Sequence, residues 1–402
     1  MIELPGSKSY TNRALIIASL CKGKTILDNA LISDDTLHLI NALRQFGAKI
    51  SVKKNKIDVI SVKEYLAPKK ALNLGGSGTG IRLLASFASL FTGKITLSGN
   101  KRLKERPIGN LLLALRELGI ESESNKGYPP VKIIGGNFNG GICKIKAKES
   151  SQYISSLLLI SPYAKKETRI IVDGKIVSKP YVDITIDIMK SFGVIVKNKN
   201  YKEFIVKLQT YKASIYKIEP DASSASYFLA YSAITKKKIT VNLHKSSLQP
   251  DSRFYEILEN MGCIINKSDF IEIKGAELLP IDIDMGNMPD LVPTLSIVCA
   301  FAKGKSVIRN IGHLRLKESD RINSIASQLE KIGIKTAQTN DCLVIYGGNP
   351  KGNASIETFN DHRIAMSFAI AGCVLPNVKI KNKKCVNKSF PDFFKVLKEA
   401  NK

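Results

Sequence analysis

Between Arg315 and Arg321 the chain reads Arg-Leu-Lys-Glu-Ser-Asp-Arg, three cations and two carboxylates in seven residues. An acid set beside fixed Lys and Arg is the arrangement expected for proton transfer next to a bound anion. Related groups recur along the chain: Gly6-Ser7-Lys8-Ser9 with Arg13, Gly75-Gly76-Ser77-Gly78-Thr79-Gly80 with Arg82, Ser150-Ser151-Gln152, Asp221 with Ser223-Ser224, Pro289-Asp290, and Asp361-His362-Arg363. Each stands at the start of an apolar run that reads as a helix. Ser, Thr and Asp there serve as N-caps, and for Asp221 and Ser223 capping is the simpler reading. Capping does not call for Lys8, Arg13, Arg82 or Arg363. A cation near the positive end of a helix is unfavourable on its own, so four of them point to an anion held there. The glycines from 75 to 80 let backbone N–H groups come close to a ligand. They match neither a P-loop nor the spaced glycines of dinucleotide folds.

A second set of polar groups opens other helices: Asp34-Asp35, Lys104-Glu105-Arg106-Pro107, Lys179-Pro180-Tyr181, Asp251 with Arg253, the run from 315 to 321, and Lys383-Lys384 with Lys388. Charge runs are usually solvated faces, and that reading is preferred for Lys104, Lys383 and Lys384. The elements that carry both sets repeat. An apolar residue followed by Gly ends an amphipathic run at Phe46-Gly47, Leu118-Gly119, Phe192-Gly193, Met261-Gly262 and Ile332-Gly333, at spacings of 72, 74, 69 and 71 residues. Each Gly fits the left-handed position just past a helix C-terminus. In step with these, helices apolar on nearly every side begin near Thr11, Thr79, Ser151, Ser223, Leu291 and Asp361. Such helices must be covered all round. Between the two series lie strand-like stretches such as Lys94-Ile95-Thr96-Leu97 and Lys305-Ser306-Val307-Ile308. The pattern predicts six units of about 70 residues, each strand, buried helix, strand, amphipathic helix and two strands. Three units per domain give two similar halves, with the boundary near Glu219-Pro220-Asp221 and sheets outside the buried helices.

Length and composition agree. A single core rarely grows beyond about 250–300 residues, so 402 residues imply more than one domain. Hydrophobic residues at 44% and charged residues at 24% exclude a disordered or fibrous chain. No stretch approaches the ~18 apolar residues of a membrane span. Lys8 and Arg13 before an apolar run resemble a signal peptide only superficially, since Glu3 and Pro5 interrupt the basic region and no small-residue cleavage site follows. Seven scattered cysteines with no C-x-x-C favour a reduced, cytoplasmic chain. Four histidines without a cluster argue against a protein-held metal. The net charge is +26, and only 12 of the 61 cationic residues are Arg. Either the charge draws phosphates or nucleic acid, or most of the lysines serve solubility. With no Trp, 7% aromatic residues and no recognition module, a nucleic-acid-binding protein is the weaker alternative.

Taken in chain order, LPGSKS at 4–9 with Asn12-Arg13, GSGTGIR at 76–82, KERPIG at 104–109, SSQ at 150–152, SKPYVDIT at 178–185, DASSASYF at 221–228, MPD at 288–290, LKESDR at 316–321, DHRIAMSF at 361–368 and KSFPDFF at 388–394 resemble the signatures of the enolpyruvyl transferases. The likeness is to the branch that uses shikimate 3-phosphate. It implies an α/β fold of two similar domains, each of three βαβαββ units with buried helices and outer sheets, an inside-out α/β barrel. The expected domains are 7–219, binding mainly shikimate 3-phosphate, and 1–6 with 220–402, contributing phosphoenolpyruvate-binding and catalytic residues, with the active site in the cleft between them. The implied reaction moves the carboxyvinyl group of phosphoenolpyruvate to the 5-hydroxyl of shikimate 3-phosphate and releases phosphate through a tetrahedral intermediate, with no metal or organic cofactor.

By motif position, Lys8, Ser9, Arg13, Ser150, Ser151, Gln152, Ser178, Asp290 and Lys317 would hold shikimate 3-phosphate. Lys8, Gly78, Arg106, Arg321, Arg363 and Lys388 would hold phosphoenolpyruvate, a use suited to the planar guanidinium fork. Asp290 is implied as the base and Glu318 as the proton donor, with Lys8, His362 and Lys388 beside them. The chain is expected to act as a monomer, without nucleic acid or membrane, in the shikimate pathway to chorismate and the aromatic amino acids. Retention of Gly78 implies inhibition by glyphosate in competition with phosphoenolpyruvate. Four positions depart from the family pattern: only three residues precede Leu4, Gly76 and His313 stand where Asn is usual, and Leu83 where Pro is common. The sister branch acting on UDP-N-acetylglucosamine carries a loop Cys, and no Cys falls between Cys21 and Cys143 here.

Overall fold

The computed structural model describes every residue except Lys63, Lys267 and Lys402. Six helices form the inner series: Lys8–Leu20, Gly78–Ala88, Gln152–Ile160, Ala222–Thr235, Val292–Phe301 and His362–Ala371. They are covered as their composition requires. In Val292–Phe301 every residue from Val292 to Ala300 is buried, and in Lys8–Leu20 so is every residue from Tyr10 on, Asn12 and Arg13 included. The amphipathic series is Asp34–Phe46, Gly109–Glu117, Pro180–Ser191, Phe254–Asn260, Arg321–Lys331 and Phe393–Ala400. The first five are followed by Gly47, Gly119, Gly193, Gly262 and Gly333, all at positive φ between 76° and 113°. There the absence of a Cβ lets the chain turn back toward the sheet.

The strands follow one plan. Leu72–Asn73 runs parallel to Gly93–Ser98, which pairs antiparallel with Tyr128–Gly135, which in turn pairs with Glu121–Asn125. The same order recurs in Gly141–Ile145, Thr168–Val172, Glu203–Val206 and Val196–Lys199, and in Asp282–Asp284, Gly304–Arg309, Leu343–Gly347 and Lys335–Gln338. In the first sheet the parallel partner of Lys24–Asp28 is Ile215–Lys217, from the end of the third unit, so three repeats close on themselves. Inward residues such as Ile95, Leu97, Val131 and Ile133 are fully buried against the helices. Each such burial is worth about 1.5–3 kcal/mol.

The second half is a reduced copy. Lys238–His244 heads a three-stranded sheet, and Ile2 adds a parallel bridge at Val241. The sixth unit pairs only Ser355–Ile356 with Lys379–Ile380 before the last helix. The chain divides into two compact units, Gly6–Glu219 and Met1–Pro5 with Pro220–Lys402. Gly6 falls with the first unit, one residue from the expected boundary. Ser7 N–H donates to the Glu219 carbonyl at 2.9 Å, and a Cβ at Gly6 would overlap the Asn29 carbonyl, so this residue is packed into the first unit. Each unit has its own apolar core.

Candidate active site

In the unit Gly6–Glu219 the helix starts gather cations. Lys8 opens the first buried helix, and its Nζ lies 3.3 Å from Oδ2 of Asp35, itself almost fully buried at the start of the neighbouring amphipathic helix. One turn on, Arg13 is 1% exposed. Its Nε donates to Thr185 Oγ1 at 2.7 Å, Nη1 to the Ser9 carbonyl at 3.0 Å, and Nη2 to Ser155 Oγ at 3.2 Å and the Tyr181 carbonyl at 3.3 Å. Every one of these acceptors is neutral. Burial accordingly pulls the guanidinium down to about 10, against small upward effects of Tyr181 and Tyr10. A cation hydrogen-bonded only to neutral groups still attracts an anion.

Gln152 and Ser155, three residues apart on one helix face, tie a second arginine to the first. Arg82 Nη1 donates to Gln152 Oε1 at 2.9 Å and Nη2 to the Pro107 carbonyl at 2.8 Å, while Gln152 Nε2 donates to Thr79 Oγ1 at 2.8 Å. Ser150 Oγ accepts the Gln152 N–H at 3.2 Å. Gly78 begins the helix Gly78–Ala88, and a Cβ added to it would overlap the buried guanidinium of Arg106. Only glycine allows that approach. Ser151 is buried, and Ser178 is buried at a φ of +55° just before the helix Pro180–Ser191.

The unit Pro220–Lys402 gathers both acids and cations. Arg321, 1% exposed, donates through Nε to Asp361 Oδ2 at 2.8 Å, through Nη1 to Asp290 Oδ1 at 2.9 Å and through Nη2 to Glu318 Oε2 at 2.7 Å. Burial alone would lower its pKa. Asp361, then Glu318 and Asp290, reverse this and hold it above that of an ordinary arginine. Arg363 Nη2 donates to the other Asp290 oxygen at 2.7 Å, and Nη1 lies 3.3 Å from Tyr227 Oη. Asp290 is thus gripped at both oxygens by two buried guanidiniums. Asp361 caps its helix by accepting the Arg363 N–H at 2.9 Å, and fully buried His362 has Nδ1 3.7 Å from Asp361 Oδ1. Lys388 is nearly buried at the end of a short helical turn, and Lys317 is half-buried next to Glu318.

The expected site residues therefore fall into two sets. Lys8, Ser9, Arg13, Gly78, Arg106, Ser150, Ser151, Gln152 and Ser178 belong to the first unit; Asp290, Lys317, Glu318, Arg321, His362, Arg363 and Lys388 belong to the second. Sequence reasoning named Asp35, Arg82 and Asp361 at helix starts without pairing them with Lys8, Gln152 and Arg321, and it did not single out Thr185 and Ser155, the partners of Arg13. Thr185 and Asp361 lie inside the quoted motifs, and Ser155 is one turn beyond Gln152. His313, one of the positions expected to depart from the family pattern, is buried.

With these positions fixed, comparison with known proteins is direct. The family profile described as EPSP synthase (3-phosphoshikimate 1-carboxyvinyltransferase) matches residues 1–397. A 3-phosphoshikimate 1-carboxyvinyltransferase from Colwellia psychrerythraea is 42% identical over 410 residues, spanning 100% of this chain and 96% of that protein. One from Buchnera aphidicola subsp. Schizaphis graminum is 42% identical over 403 residues, spanning 98% of this chain and 94% of that one. The solved EPSP synthase of Acinetobacter baumannii superposes with a TM-score of 0.81 at 28% identity, over 99% of this chain and 96% of its own. A match that runs through every motif and both units leaves one reading: the chain belongs to the EPSP synthase family.

Proposed function

We propose that the protein transfers the carboxyvinyl group of phosphoenolpyruvate to the 5-hydroxyl of shikimate 3-phosphate, releasing inorganic phosphate. The observation that carries this reading is Arg13, a fully buried cation whose hydrogen-bond partners are all neutral, in a chain of this family. Such a residue is suited to a carboxylate or phosphate. In the reaction the hydroxyl oxygen bonds to C2 of phosphoenolpyruvate and a proton is added at C3, giving the tetrahedral adduct. Loss of a C3 proton and of phosphate then restores the double bond. We assign the hydroxyl proton to Asp290 and the C3 proton to Glu318, which would take it back on elimination.

The two acids have separate attachments that suit separate tasks. Asp290 is fixed by a guanidinium at each oxygen, whereas Glu318 is tied through one oxygen to Arg321, whose charge is shared with Asp290 and Asp361. An anion arriving at Arg321 would compete with Glu318 for that charge. Lys8, Gly78, Arg106, Arg321, Arg363 and Lys388 are assigned to phosphoenolpyruvate. Lys8, Ser9, Arg13, Ser150, Ser151, Gln152, Ser178, Asp290 and Lys317 are assigned to shikimate 3-phosphate, and His362 and Lys388 support the proton transfers.

Among the described residues no helix is long and apolar enough to cross a membrane, and all seven cysteines are free thiols, five of them buried. We place the enzyme in the cytoplasm as a monomer. Phosphate release from phosphoenolpyruvate tests the activity: it is expected with shikimate 3-phosphate and absent with UDP-N-acetylglucosamine or with no acceptor. Release with the UDP-sugar alone would overturn the assignment.

A further inference from the structure

Asp251 stands in a short turn, Pro250–Arg253, and is 2% exposed. No step above uses it. Its Oδ2 accepts a short hydrogen bond from the Ser223 hydroxyl, while Oδ1 has no hydrogen-bond partner among the described residues. A half-satisfied buried carboxyl is costly, and helix capping does not explain it. The cap of Ala222–Thr235 is Asp221, which accepts the Ser224 N–H at 2.7 Å, and Gln249 Oε1 takes the Ala222 N–H at 3.0 Å. What Asp251 does reach is Arg363. Ser223 Oγ lies 3.4 Å from Arg363 Nη2, the same nitrogen that donates to Asp290 Oδ2 at 2.7 Å. The chain of contacts runs Asp251, Ser223, Arg363, Asp290, drawn from four separate segments of one unit.

The charged groups facing Asp251 are Asp290, Arg363 and Asp221. Burial and then Asp290 push its carboxyl up, Arg363 and the Ser223 hydrogen bond pull it down, and the balance lies at about 7. Ionised, Asp251 accepts the hydrogen bond of the Ser223 hydroxyl, which leaves an oxygen lone pair of Ser223 facing Arg363. Protonated, it donates to Ser223, whose own proton must leave the Asp251 side. The electrostatic support behind Arg363 therefore depends on the charge of a residue that touches no substrate-binding group directly.

We propose that Asp251 is a positioning residue which, through Ser223, holds the Arg363 guanidinium in place for the phosphoenolpyruvate anion. The inference rests on Arg363 being a phosphoenolpyruvate ligand. Its test uses the full chain as wild type, Asp251→Asn, Ser223→Ala and the double variant, assayed with phosphoenolpyruvate and shikimate 3-phosphate from pH 5.5 to 9. Wild-type turnover of these two substrates checks the activity separately.

Asp251→Asn, close in shape, is expected to raise KM for phosphoenolpyruvate about tenfold with kcat within about threefold, the pattern of lost ground-state binding. It should also remove an inflection near pH 7 from the kcat/KM profile. Ser223→Ala should give a similar KM, and the double variant should be no worse than either single one, because both act on one path. An unchanged KM and pH profile in Asp251→Asn, or fully additive losses in the double variant, would overturn the proposal. If Asp251→Asn melts below the assay temperature, Ser223→Ala decides: a wild-type KM there also overturns it.

Discussion

At the scale of single residues, two guanidiniums and one carboxylate dominate. Asp290 meets both Arg321 and Arg363, while Arg321 keeps Glu318 and Asp361 as further acids. Removing Asp290 therefore does more than remove a proposed base, because it leaves Arg363 without the acid that neutralises it. Breaking a buried pair on one side costs about 3–5 kcal/mol. Asp290→Ala is expected to lower the unfolding midpoint clearly as well as cutting kcat by ~100-fold or more, whereas Glu318→Gln should match that rate loss with a much smaller change in stability. Turnover by either variant within a few-fold of wild type would remove that acid from the mechanism.

Gly78→Ala should force the Arg106 guanidinium aside, since the two overlap, and so raise KM for phosphoenolpyruvate more than that for shikimate 3-phosphate. Equal changes in both constants would contradict this. Asp251 adds a pH effect on stability. Its carboxyl is raised from an ordinary 3.8 to about 7, so between those values the folded chain holds more protons than the unfolded one. Stability then falls as pH rises through that window. The cost is absent below pH 4, complete above pH 7, and at most a few kcal/mol. The melting temperature of Asp251→Asn relative to wild type should rise from pH 4.5 to about 7 and level off above it; a constant difference would rule the effect out.

These partnerships were hidden in the sequence for a plain reason. Arg13 meets Thr185 across 172 positions and Arg321 meets Asp361 across 40, so no local spacing could pair them. The motifs showed which residues were unusual, and only the fold showed what each one touches.

The element scale was the most legible, because the first five helices of the amphipathic series end against a residue at positive φ. Gly at that point is visible in any sequence, and five of them at near-constant spacing marked the repeat before any contact was known. The shortened sheet of the sixth unit was not visible, since only pairing tells how many partners a strand has, and residues 355–356 pair with 379–380 alone among the described residues. The glycines also separate two costs. At Gly333, with a φ of +76°, a Cβ meets only the flexible Lys351 side chain at 3.4 Å, so Gly333→Ala pays mainly backbone strain, about 1–2 kcal/mol. At Gly262, with a φ of +99°, the Cβ also comes within 2.6 Å of the Glu277 carbonyl oxygen. Gly262→Ala should destabilise more than Gly333→Ala in urea unfolding, although both occupy the same place in the repeat. Equal midpoints would mean that the Glu277 carbonyl shifts at little cost.

On the scale of the whole molecule, the charge is unevenly divided. Between Gly6 and Glu219 there are 36 cationic and 16 acidic residues, so that unit holds a surplus of 20 out of the chain's 26. The second unit, with its clustered acids at Asp290, Glu318 and Asp361, is close to balanced. A few buried cations are the proposed ligand contacts, and the exposed lysines would contribute a field instead of contacts. Such a field speeds the approach of anions and is screened by salt, with a Debye length near 10 Å at 0.1 M and about 3 Å at 1 M. Both proposed substrates carry a phosphate and a carboxylate, so kcat/KM for each should fall several-fold between about 0.05 and 0.5 M salt. The buried pairs around Arg321 lie beyond the reach of mobile ions and should keep kcat nearly constant. The comparison should use a salt whose anion does not resemble phosphate, so that screening is separated from competition. If kcat fell in parallel with kcat/KM, the salt would be acting on the buried network, and the surface lysines would have no part in substrate capture.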